Sequence, residues 1–141
     1  MIIIYPAVFT RTMDEKDTYV VEIPDIQGFT EGYGLADAIN MAREYIGNYC
    51  SGLSDDRLPA PSSIDDIDIN KCDLTEAEKH HSFVSMIDLD LDVFRRKMNK
   101  RAVRRNVSIP AWLNQEAEKE HVNFSRVLQE ALMQKLNLAK Q

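Results

Sequence analysis

Apolar and polar residues alternate, or recur at helical spacing, in blocks that divide the chain into short elements. Ile2 to Thr10 and Thr18 to Pro24 are rich in Ile, Val, Tyr and Phe and flank the charged segment Arg11 to Asp17, which predicts a β-hairpin. Pro24-Asp25-Ile26-Gln27-Gly28 predicts a turn, and Phe29 to Tyr33 a third strand whose Gly32 marks a bulge or a tight approach. After Gly34 the period changes. Leu35, Ala38, Ile39, Ala42, Ile46 and Tyr49 form an apolar helical stripe that must lie on the sheet, and Ser51-Gly52 ends it. The proline-rich, acidic stretch from Leu58 to Asp68 predicts loop, and Thr75 to His80 a helical turn. Ser82 to Asp88 reads as a fourth strand, with Leu89, Leu91 and Val93 continuing to alternate against Asp88, Asp90 and Asp92. Val93 to about Asn99 follows as a short helix or linker. The region is thus an α+β layer, βββαβ, with one helix on an antiparallel sheet.

From Val103 to Ile109 alternation returns. Val103, Val107 and Ile109 oppose Arg104, Asn106 and Ser108, with Arg105 breaking the apolar face; contact with a phosphate or a snorkelling position past the strand edge both fit it. Pro110 opens a helix to about His121, and Asn123 caps a second that runs to about Leu138. A single strand leaves both edges unpaired, and no neighbouring segment supplies a partner, so a second copy of the chain is the simplest one. The two-stranded ribbon would present Arg104, Asn106 and Ser108 twice about a two-fold axis. It fits the major groove of B-DNA, where Arg and Asn read guanine and adenine edges. The helix residues Trp112, Leu113, Ala117, Val122, Phe124, Val127, Leu128, Ala131, Leu132 and Leu136 are core by spacing, and so few residues need a core shared between two chains. The sequence leaves dimer against tetramer open.

Charge divides the chain in the same way. Residues 1–94 hold six basic and nineteen acidic side chains, net −13, and residues 95–141 hold eleven and four, net +7, which together give the overall −6. Seven of the eleven residues from Arg95 to Arg105 are Arg or Lys, and a basic module suits a polyanion, because neutralising phosphates releases counterions. Domains are therefore expected at 1–94 and 95–141. Cys50 and Cys72 match neither a metal spacing nor a disulfide framework, which suits a reducing cytoplasm. The apolar start at Ile2 lacks the flank and length of a signal peptide or membrane span. His80, His81 and His121 share no ligand spacing and read as surface or capping residues. No cofactor or metal is expected.

The strand, helix, turn, helix order over roughly residues 100–138 resembles the ribbon-helix-helix DNA-binding fold. That resemblance makes Arg104, Asn106 and Ser108 base readers, with Lys100, Arg101, Arg105, Asn123, Phe124 and Ser125 on phosphates. The start of the second helix favours an anion on physical grounds as well. Val107, Ile109, Trp112, Leu113, Val127, Leu128 and Leu132 become the dimer core.

The turn Pro24-Asp25-Ile26-Gln27-Gly28-Phe29-Thr30, the glycine-led helix at Gly34-Leu35-Ala36-Asp37-Ala38 and the run Arg104 to Leu113, in that order, resemble HicB-type antitoxins over nearly the whole chain. The resemblance implies a partial RNase H-like domain joined to a ribbon-helix-helix. It also implies a partner, a small basic HicA-type RNA-cleaving toxin that the antitoxin occludes, and an operator at which the DNA-bound complex represses its own transcription. On acidity alone, Asp25, Glu31, Asp88, Asp90 and Asp92 are the candidate toxin contacts. Two other readings stand beside this one. The first region could sense a small ligand in a repressor without a toxin, or its carboxylates could be RNase H-like metal ligands. An alternating row spreads carboxylates about 7 Å per repeat rather than converging them, which favours a non-enzyme.

Overall fold

A computed structural model describes residues 1–138, as two compact units, Met1–Arg101 and a second beginning at Ala102. The first holds four strands, β1 (Ile2–Arg11), β2 (Thr18–Ile23), β3 (Gly28–Tyr33) and β4 (Ser82–Asp90), in the order β3-β2-β1-β4, all antiparallel. Its helices are α1 (Leu35–Ser51), α2 (Glu76–His80) and α3 (Leu91–Met98). The expected α+β layer is present.

Alternation sets the two faces of the sheet. Tyr5, Ala7, Phe9, Val21, Ile23 and Ile87 point toward α1 and bury against its Ala38, Ala42, Ile46 and Cys50. Small residues on α1 let the helix settle close to the strands. At Gly32 an added Cβ would stand 2.4 Å from the Ala38 backbone nitrogen, so the tight approach read from that glycine is real. The apolar stripe of α1 is narrower than its spacing suggested, because Leu35 and Tyr49 lie at its margins and stay exposed. Burial pushes the Tyr5 phenol up to about 12, the nearby Cys50 thiol adding to it, and its hydroxyl donates to the Pro59 carbonyl at 2.8 Å.

Pro6, Val8 and Thr10 occupy the opposite face of β1 yet are also buried. The segment between α1 and β4 covers part of that face: 3₁₀ turns at Ile64–Asp66 and Ile69–Lys71 pack on β4, and α2, where a helical turn was expected, packs on β1 and β4. Asp25 fastens the loop, its carboxylate accepting from the Ser62 amide at 2.8 Å and hydroxyl at 2.6 Å. Thr75 and Glu78 form a capping box at the start of α2.

The strand runs two residues past Asp88, but the alternation past Asp90 does not continue as strand. β4 ends at Asp90, whose carboxylate accepts from the Asp92 and Val93 amides at 3.1 and 3.2 Å and so starts α3. Leu91 is fully buried, and the Phe94 ring fills the space over Gly47, where a Cβ would meet it at 2.4 Å. Arg95 donates to the Leu53 carbonyl and to Asp55. These contacts hold α3 in the first unit, so the units meet after Arg101 although the charge changes sign at Arg95.

The second unit contains α4 (Ala111–Lys119) and α5 (Phe124–Lys135). Between them His121 takes a left-handed backbone, φ 53°, donating its N–H to Glu118 at 3.1 Å while the Val122 N–H donates to Ala117 at 3.1 Å. These two bonds satisfy carbonyls at the end of α4 and close the helix with a left-handed turn.

Candidate nucleic-acid and partner interfaces

The second unit is two helices with no core. Every described residue from Ala102 onward is at least partly exposed, including the helical apolar set: Trp112 at 67 %, Val127 at 51 %, Leu132 at 51 %. Leu113, Phe124, Leu128 and Leu136 lie open too. Lys100 to Pro110 forms neither helix nor ladder, so the strand expected over Val103 to Ile109 is absent from the single chain. A ladder needs two strands, and this unit contributes one segment of strand character. Arg104, Asn106 and Ser108 are exposed within that segment, as are Lys100, Arg101 and Arg105. Val107 at 62 % and Ile109 at 42 % are uncovered as well.

Asn123 caps α5, its side-chain oxygen accepting from the Arg126 amide at 3.1 Å. The amides of Phe124 and Ser125, first in the helix, have no intrahelical acceptor, so they and the positive end of the helix dipole face outward. The geometry suits an anion such as a phosphate.

The five carboxylates expected to meet a toxin do not form one patch. Asp25 is spent on Ser62. Asp90 caps α3, Asp92 sits in the first turn of α3 against the Met1 amino group, and Asp88 pairs with Arg43 at 3.1 Å. Asp92 is held below the usual carboxylate range by that amino group. Glu31 lies across the sheet: the registers Val20↔Glu31 and Thr10↔Val20 put it in the row of Thr10, whereas Asp88 pairs with Ile4. Three strand spacings and six residues separate them, about 14 Å across and about 20 Å along the sheet. Among the described residues, no three His, Cys, Asp or Glu side chains stand together as a metal site would need.

The spacing of charges gave no hint of a groove on the outer face. It has about 520 Å³ of space, floored by Val8, Thr10, Val20 and Glu22 and walled by Phe29 on one side and Leu74 and Ala77 on the other. Asp73, Glu78, Arg11 and His81 stand at its rim. The Arg11 guanidinium is turned to Asp17 at 2.6 Å, which leaves the carboxylates dominant. Finding this site required the strand register and the path of the covering loop, neither of which is a local property.

The chain is similar to a chain of a toxin-antitoxin complex from Streptococcus pneumoniae, at 27 % identity over 96 % of this chain and 99 % of that one, with a TM-score of 0.58. It is also similar to the antitoxin HicB of Burkholderia pseudomallei, at 23 % identity over 98 % and 99 % of the two chains, with a TM-score of 0.47. No curated protein matches it. No helix among the described residues is long and apolar enough to cross a membrane. The family model for the HicB-like antitoxin of bacterial toxin-antitoxin systems matches residues 5–132, and the chain belongs to that family.

Proposed function

We propose that this antitoxin is a homodimer in which the first unit occludes a basic, RNA-cleaving toxin of HicA type and the second binds operator DNA as a ribbon-helix-helix, repressing its own transcription. It acts in the cytoplasm by binding, without chemistry of its own. The observation that carries the reading is the coreless second unit: two helices expose their apolar set beside a basic segment of alternating character. Such a unit gains a core only when a second copy covers it, and the same step pairs the two strands. The pairing would turn Arg104, Asn106 and Ser108 outward together, with Lys100, Arg101, Arg105 and the start of α5 on flanking phosphates. The solved chain at 27 % identity belongs to a toxin-antitoxin complex, which supports a toxin as the partner of the acidic unit.

Fluorescence anisotropy with DNA from upstream of the gene tests the assignment. Arg104→Ala and Asn106→Ala should each weaken binding by about 1–3 kcal/mol and relax sequence preference. Both variants should still bind the toxin. Loss of toxin neutralisation with DNA binding intact would reverse the roles of the two units. Co-purification of a small basic protein encoded beside the gene separates this reading from that of a ligand-responsive repressor.

A further inference from the structure

We infer that the groove on the outer face of the sheet is where the first unit receives its partner, and that it takes a protein segment carrying an apolar side chain flanked by Lys or Arg. The inference rests on the toxin partner proposed above and names the surface and the chemistry of recognition.

Register fixes the floor. Val8, Glu22 and Phe29 are cross-strand neighbours in one row, and Thr10, Val20 and Glu31 in the next row on the same face. Val8 and Thr10 are buried under the covering loop, whereas Phe29 is 63 % exposed and Tyr33, four residues further along β3 on the same face, 57 %. The loop therefore covers the β1 side of this face and stops short of β3. An exposed aromatic row beside an open, partly apolar groove is the surface a partner's apolar side chain fills, since aromatic anchors dominate binding at the centre of interfaces.

Charge selects the partner. Glu22 rises from the floor and Asp73 from the rim, and neither carboxylate has a hydrogen bond or ion pair among the described residues. Glu22 is half-buried, and its charge reaches the Cys72 thiol, which is pushed up by burial first and then by Glu22. Glu78 adds a third carboxylate, held low by the Thr75 amide and hydroxyl. Opposing them are His81 and Arg11, the latter neutralised by Asp17. A half-buried carboxylate between apolar neighbours gains most from a cation brought by a partner that also excludes water, so the groove selects a basic segment. An acidic or purely apolar occupant would leave Glu22 unpaired.

The test uses the full chain and the basic protein encoded beside its gene, with affinity measured by calorimetry at two salt concentrations. Phe29→Ser removes an exposed ring and Glu22→Gln preserves shape, so neither threatens the fold, and unchanged circular dichroism verifies this. Phe29→Ser should weaken binding at least about 30-fold, and Glu22→Gln about 5- to 10-fold with a shallower salt dependence. Glu44→Gln, exposed on α1 behind the inner face of the sheet, removes the same charge away from the groove and should leave affinity within about twofold of the wild type. If the wild type binds and both groove variants bind as tightly, this inference falls while the toxin partner stands. If the wild type binds no such protein, both fall.

Discussion

Val107→Asp addresses the proposed two-chain core directly. Val107 is 62 % exposed in the single chain, and its place on the apolar side of the alternating segment puts it at the seam of the proposed ribbon. Burying a whole valine side chain stabilises by about 1.5 kcal/mol, so covering the exposed share contributes about 1 kcal/mol per chain and about 2 per dimer. Aspartate forfeits that and brings two carboxylates to a two-fold axis, where each must be desolvated beside the other. A few kcal/mol per buried, unpaired polar group adds to the loss. The total of roughly 5 kcal/mol or more weakens dimerisation by about 10³- to 10⁴-fold. Sedimentation equilibrium of the full chain should show dimer giving way to monomer, with operator binding lost in anisotropy. Arg104→Ala should remain dimeric while losing affinity for DNA. A Val107→Asp chain that sediments as the wild type does and still binds DNA would refute the ribbon as the dimer seam.

Other expectations concern the first unit. Gly32→Ala places a methyl group against the α1 backbone and should cost about 2–3 kcal/mol in urea unfolding. The Asp14 carboxylate lies below its usual range because the Thr18 amide, and then the Thr18 hydroxyl, donate to it at 2.8 and 2.7 Å. A depressed carboxylate stabilises the fold above the unfolded pKa and loses that contribution as pH falls through the folded value. Asp14→Ala should therefore melt below the wild type at neutral pH, with the gap closing in acid below the normal aspartate range; a gap independent of pH would contradict this. Cys50 is fully buried and Cys72 only partly so, so Ellman's reagent should titrate Cys72 in the folded chain and reach Cys50 only on unfolding.

What could be read from the chain followed its local rules. The strands and α1 announced themselves because one face of each is dry, and period-2 and helical patterns record that directly. The same rule misled at Asp90. Leu91 and Val93 keep the alternation by coincidence, while the informative signals were a capping aspartate, an acid in the first turn and the basic run Arg95-Arg96-Lys97 in the last. Charge placed a boundary at Arg95, whereas the contact between Phe94 and Gly47 that ties α3 to the first unit joins distant residues and leaves no local trace. Pro6 and Val8 are buried because a long loop returns over them, and that loop also shapes the groove. The acidic residues chosen by charge alone were mostly committed to caps and loops; Glu22, between Val8 and Phe29, becomes legible only through the register. In the second unit the helices are local, whereas a strand needs a partner, and the alternation of Val103 to Ile109 states only that one is needed.

Inhibition by the purified chain of RNA cleavage by the proposed toxin, sought as a small basic protein encoded beside the gene, tests the central claim most directly. The account predicts suppression that completes near one antitoxin chain per toxin and persists in the Arg104→Ala, Asn106→Ala double variant, which no longer binds operator DNA. Cleavage that continues in the presence of excess wild-type chain would contradict it.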